Sequence, residues 1–346
     1  MDQQEPLQQV LEASDKRRAE RREFFRYAGG FGIAAAGAAV LSACGSDGDD
    51  DSGTVTTAAT PSPTPTASAS ATPTPTPTPT PVTEADILNF ALNLEYLEAQ
   101  FYSFAATGTG LAASLLSGTG TAGDATGGRQ VKFTDPLVAR YAREIAADEQ
   151  AHVAFLRRTI GNTAVIAQPA IDLGTAATSA FATAAVAAGL IQNGQTFDPY
   201  ASDENFLLAA FLFEDVGVTA YRGLIGALKT TSYIDATAGL QASEAYHAGL
   251  VRTVLYRKGV NTSSLIDATE KISGARDALD GAGDLDQGVK LANNASNIVP
   301  SDATGIAFGR SATQVLNIAY LTNKAATSGG FFPKGVNGFM KSSAAT

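Results

Sequence analysis

The chain has two histidines among its 346 residues, and each has a glutamate three positions before it: Glu149-Gln-Ala-His152 and Glu244-Ala-Tyr-His247. On a helix, positions i and i+3 share a face. Each pair could therefore present a carboxylate and an imidazole to one metal ion. Two such pairs, joined by one glutamate from each of two further helices, could hold two ions between four helices. With 13 glutamates in the chain, both histidines would have Glu at −3 by chance in about one or two chains per thousand. The surroundings repeat as well. Ala147-Asp-Glu149-Gln-Ala-His152 with Arg157 and Ala242-Ser-Glu244-Ala-Tyr-His247 with Arg252 share the spacing Ala-x-Glu-x-x-His-x-x-x-x-Arg. An exposed helical Glu/His pair explains one such copy, but two matched copies that use every histidine favour a metal site.

The elements that must position these residues read as helices. Thr83-Glu84-Ala-Asp86 is an N-cap with acids in the first turn. Apolar residues then recur at three- and four-residue steps through Tyr102, which predicts an amphipathic first helix carrying Glu95 and Glu98. A Gly/Thr/Ala-rich loop follows over 107–128, then a second helix over 136–160 with Glu149 and His152. The connection 161–202 is long and holds a short helix over 178–191. Ser202-Asp203-Glu204 caps a third helix over 205–228, and a fourth runs from about Ser232 to Lys258 with Glu244 and His247. One long connection between two closely linked helix pairs is the pattern of a bundle with a single crossover. Strand signals are sparse, so the fold class is all-α.

The third helix contains Phe206-Leu-Leu-Ala-Ala-Phe-Leu-Phe213, followed directly by Glu214. A carboxylate in such a run is expected to be buried and to need a cation. Tyr221 lies seven residues after Glu214, as Tyr102 lies seven after Glu95, so the two halves form a pseudo-repeat. Glu98 faces roughly as Glu95 does, but the repeat selects Glu95, because Gly217 stands at the position matching Glu98. Glu98, Tyr102 and Tyr221 are thus expected around the metal site, the tyrosines mainly as core aromatics. Arg157 and Arg252 receive no role at this level.

Residues 1–43 read as an export signal. Arg21-Arg22-Glu-Phe24-Phe25-Arg26 is a twin-arginine motif, and a Gly/Ala-rich apolar run over 27–41 follows. That run is shorter than the roughly 20 residues a membrane span needs. It ends in Leu41-Ser42-Ala43-Cys44, which resembles a bacterial lipobox. Cys44 is the chain's one cysteine, so no intrachain disulfide forms, and lipidation there would anchor the chain by acyl groups. Residues 44–82, acidic and then Thr/Pro-rich, read as an extended tether that cannot bury a core. The globular part divides into a bundle over 83–260 and a C-terminal extension over 261–346, with helices expected over 264–279 and 310–321 and an apolar anchor at Phe331-Phe332-Pro333. With a formal charge of −10, nothing in the chain is basic enough to suggest nucleic acid as a partner. The sequence offers no Ser/His/Asp set, phosphate-cradling glycine loop or zinc-type cysteine pair.

At the Glu and Glu-x-x-His positions the chain resembles the ferritin-like superfamily. It looks like the bacterial and plant desiccation-related members, with a second likeness at Ala307-Phe-Gly-Arg310 through Tyr320 and at Gly329-Gly-Phe-Phe-Pro333-Lys-Gly335. The resemblance implies a four-helix bundle with a carboxylate-bridged centre of two iron or manganese ions. Glu95 and Glu214 would be single carboxylates from the first and third helices, Glu149 and Glu244 would bridge, and His152 and His247 would each cap one ion. Hard oxygen and nitrogen ligands of this kind do not suit copper(I). The expected function is protection of the cell envelope by reaction with peroxide or oxygen. The alternative is a non-catalytic scaffold for desiccation or envelope stress, with weak or no metal binding. Iron storage in a closed shell ranks lowest, because a lipid tether and a long tail would obstruct the shell. Expected partners are the membrane, through Cys44, and the twin-arginine export machinery. A homodimer suits this type of bundle.

Overall fold

The computed structural model describes residues 81–346 apart from 292 and 294. The export motif, Cys44 and nearly all of the tether lie outside the described residues. Seven α-helices are described: α1 Glu84–Thr107, α2 Pro136–Ile160, α3 Ala180–Ala187, α4 Asp203–Ile225, α5 Thr231–Asn261, α6 Ser263–Asp280 and α7 Ala312–Ala319. Two-residue strands, β1 Ala125–Thr126 and β2 Ile171–Asp172, pair in parallel and pin the first loop to the crossover. Among the described residues, no helix is long and apolar enough to cross a membrane.

Helices α1, α2, α4 and α5 form the bundle. α1 packs on α2, α4 on α5, α1 on α4 and α2 on α5, so the four close a ring. The capping box of Thr83 and Asp86 starts α1, and Gly108, at φ +81°, ends it by donating to the Phe104 carbonyl at 2.8 Å. Asp135 caps α2 and Pro136 fills its first turn, where a missing N–H costs nothing. The long connection joins α2 to α4, and its helix α3 is shorter than the predicted 178–191, with Ser179 as cap. α5 runs on to Asn261 and α6 begins at Ser263, so bundle and extension meet with almost no linker. Arg310 and Ser311 lie before α7 rather than in it, because Ser311 forms a capping box with Gln314.

α1 is buried on every side, which a one-faced amphipathic helix is not. Its buried amides show what covers it. Asn89 donates to Ala164 O at 3.0 Å and accepts from Ile166 N, and Asn93 exchanges two hydrogen bonds with the Asn337 backbone. Gln100 bonds Gln168 at 2.5 Å. The crossover and the C-terminal tail therefore wrap α1. On α4, the run 206–213 is buried throughout because α6 and α7 pack on the side away from the bundle. Phe331 closes this layer, its ring 4.9 Å from Phe213 and 5.1 Å from Phe181.

Candidate metal centre

Each half of the bundle brings one Glu from its first helix and one Glu-x-x-His from its second. Glu95 on α1, Glu149 and His152 on α2, Glu214 on α4, and Glu244 and His247 on α5 converge at the bundle centre, and all six are buried. They form two overlapping groups, Glu95, Glu149, His152 and Glu244 on one side, and Glu214, Glu244 and His247 on the other, with ligand atoms within 4.8 Å of one another. His152 Nδ1 lies 3.3 Å from Glu95, 3.6 Å from Glu149 and 3.4 Å from Glu244. His247 Nδ1 lies 3.0 Å from Glu149 and 3.9 Å from Glu214. Each α2 or α5 glutamate thus reaches the histidine of the other half. The imidazole rings lie 5.9 Å apart and 25° from parallel.

The donor set fits cations. Among the described residues, eight buried atoms of these six side chains have no hydrogen-bond partner: Glu95 Oε2, both oxygens of Glu149, Glu214 Oε2, both oxygens of Glu244, and Nδ1 of each histidine. Buried polar groups are normally satisfied, and four carboxylates in a dry interior carry a charge that two divalent ions would balance. Without ions the protons redistribute. Burial and the neighbouring carboxylates push Glu95 up to about 8, although His152 opposes the shift. Burial raises Glu214 and Glu244, aided by nearby carboxylates. Burial alone would lower both histidines, but Glu95 and Glu149 beside His152, and Asp148 and Glu149 beside His247, raise them well above the usual range. Burial would also raise Glu149, but the two histidines hold it below the usual carboxylate range.

The tyrosines cross between halves. Tyr102 donates to Glu214 Oε1 and Tyr221 donates to Glu95 Oε1. Burial and the adjacent carboxylate hold both phenols well above their ordinary range, so they remain donors. They are more than core aromatics: each leaves its partner one oxygen facing the centre. Glu98 is buried beside Glu244, outside both ligand groups, and burial and the surrounding carboxylates raise it well above the usual range. Gly217 makes room for both side chains. A Cβ there would collide with Glu244 Oε2 and sit 3.2 Å from Glu98 Oε1. The sequence reading missed Asp148, which lies 3.3 Å from His247 Nε2 and can orient that ring. Its position beside Glu149 was the available signal, but the second copy carries Ser243 there.

A helical bundle with one crossover and paired Glu and Glu-x-x-His ligands is the architecture of ferritin-like carboxylate proteins. The family model described as "Ferritin-like domain" matches residues 83–257. Ferritin-like catalase Nec2 from Nesocodon mauritianus is 30% identical over 274 residues, 74% of this chain and 85% of the relative. Desiccation-related protein PCC13-62 from Craterostigma plantagineum is 28% identical over 268 residues, 74% of this chain and 83% of the relative. The chain belongs to the ferritin-like family. No solved structure gives a significant match.

Proposed function

We propose that this chain is an exported, lipid-anchored protein whose carboxylate-bridged pair of iron or manganese ions acts on peroxide or oxygen in stress protection. The eight unpartnered atoms converging from six residues on four helices carry this reading. Glu95, Glu149, His152 and Glu244 would hold one ion, and Glu214, Glu244 and His247 the other, with Glu244 common to both groups and Glu149 reaching toward the second at His247. Such a pair supplies redox chemistry at an O–O bond. The chain's own residues bind and orient. Tyr102 and Tyr221 each fix one carboxylate oxygen, and Asp148 holds the His247 ring. Leu94, Leu97, Leu212 and Val216 are buried beside the glutamates of their helices. The name of the first relative, a ferritin-like catalase, points the same way.

The test is the metal content of the chain from its native host, beside Glu244→Ala and His247→Ala, followed by oxygen release from hydrogen peroxide. About two ions per chain, lost in both variants together with peroxide turnover, is the expected result. A folded chain without metal, indifferent to both substitutions, would overturn the reading. It would favour the alternative of a non-catalytic scaffold in desiccation, the condition that the name of the second relative mentions. Export and anchoring rest on Arg21, Arg22 and Cys44 alone. Cys44→Ala is expected to move the chain from the membrane fraction to the soluble one.

A further inference from the structure

The repeated motif ends in an arginine that the metal centre does not use, five residues after each histidine. Both arginines reach the other helix of their own half, and both meet the residue that directly follows that half's single glutamate. Arg157 Nη1 on α2 donates to the Tyr96 hydroxyl on α1 at 2.5 Å, next to Glu95. Arg252 Nη1 on α5 donates to Asp215 Oδ2 on α4 at 2.7 Å, next to Glu214. The two contacts occupy equivalent places in the pseudo-repeat, although their acceptors differ chemically.

Helix geometry explains the location. Successive residues turn by about 100°, so the residue after a centre-facing glutamate faces the seam between helices. An arginine five positions after a centre-facing histidine is rotated about 140° from it and runs along the same seam. A tie at that point fixes the rotation and axial register of one helix against the other. That register decides whether a lone Glu and a Glu-x-x-His meet at one ion. We propose that Arg157 and Arg252 are positioning residues, each setting the register of the ligands within its half.

The two ties are braced differently. Tyr96 Oη also donates to Leu115 O at 2.7 Å, and among the described residues Arg157 otherwise donates to Ile166 O, at 3.5 Å. Arg252 is wholly buried and donates to the carbonyls of Gln287, Gly288 and Asn297, while Asp215 is shared with Arg276 on α6. The extension thus holds the second tie in place. The first can be cut without stranding a buried charge, and it is the one to test.

The inference rests on the two-ion reading, and the experiment separates their failures. Metal-stripped full-length chain and the variants Tyr96→Phe, Arg157→Gln and their combination are titrated with manganese(II) and with cobalt(II) alone. Calorimetry and cobalt absorption read the binding, and thermal unfolding is recorded without metal. Each single variant is expected to weaken one of the two ions at least tenfold and the other less than threefold. The double variant should be no more than threefold worse than either single one. Unchanged ion affinities beside a lowered metal-free unfolding temperature would make the arginine a packing residue and overturn the proposal, as would losses that add. Absence of metal binding in the unsubstituted chain would instead fail the reading of the centre.

Discussion

Arg276→Met tests whether the extension is locked to the bundle by charge. Arg276 is 1% exposed and lies among three arginines and three aspartates, all buried: Arg252, Arg276 and Arg310 with Asp215, Asp280 and Asp286. It pairs with Asp286 at 2.6 Å and Asp215 at 2.9 Å, and donates to the α4 carbonyl of Phe211 at 2.7 Å. Methionine fills much of the volume but leaves two buried cations for three buried anions. Removing one partner of a buried ion pair typically costs 3–5 kcal/mol. Here Asp215 keeps Arg252 and Asp286 keeps Arg310, so the lower end, about 3 kcal/mol, applies. For a folded part of this size that is a fall of roughly 6–12 °C in Tm. The assay is thermal unfolding of chelator-treated protein at neutral pH. Arg276→Met with Asp286→Asn restores two charges of each sign and should recover at least half of the loss. A loss below about 1 kcal/mol in the single variant, or a double variant less stable than it, would refute the argument from buried charge balance.

Three further outcomes follow from named contacts. Gly217→Ala should lower metal-free stability by about 1–2 kcal/mol, overpacking outweighing the gain in helix propensity, and lower metal affinity as well, because its Cβ presses on Glu244; unfolding and titration of stripped protein check this, and undiminished affinity would count against the packing described. Phe331→Ala, which empties a site between Phe213 and Phe181, should cost about 3–5 kcal/mol in denaturant unfolding, and a loss under about 1 kcal/mol would mean that the ring is not an anchor. Asp277 is pushed up to about 6 by partial burial and by Asp286, Asp280 and Asp284. Its ionisation therefore destabilises the fold, by a penalty absent below the unfolded carboxylate pKa, growing up to pH 6 and full above it. Asp277→Asn should raise Tm at pH 7.5 and leave it unchanged near pH 4, and equal effects at both would refute this.

What could be read in advance was local. Glu149 and His152, or Glu244 and His247, lie one helical turn apart, and the burial of Glu214 follows from the eight apolar residues before it. The four bundle helices and their single crossover followed from the same periodicity. The pairing of Tyr102 with Glu214 and of Tyr221 with Glu95 crosses 112 and 126 residues, and spacing within one helix cannot say which carboxylate a phenol will meet. Arg252 received no role from the sequence, and no motif or spacing singled out Arg276, Asp280 or Asp286. Their burial depends on the extension folding over α4, a tertiary event without a periodic signal. The same event makes α4 apolar on two sides, so the run that betrayed Glu214 records the extension as much as the bundle.

The crossed contacts bear on why the two halves stay together. Each half alone would bring one Glu, one Glu-x-x-His and one tyrosine, but its phenol would lack an acceptor and its single carboxylate a donor. Joining the halves satisfies both at once, and it also places Glu149 against His247 and Glu244 against His152. Coulomb repulsion among four buried carboxylates opposes this union, and the two tyrosine donors offset only part of it. Protons on the histidines supply a partial remedy, and two divalent ions would supply a complete one. Assembly of the halves and occupation of the centre are therefore linked: whatever neutralises the carboxylates also closes the bundle.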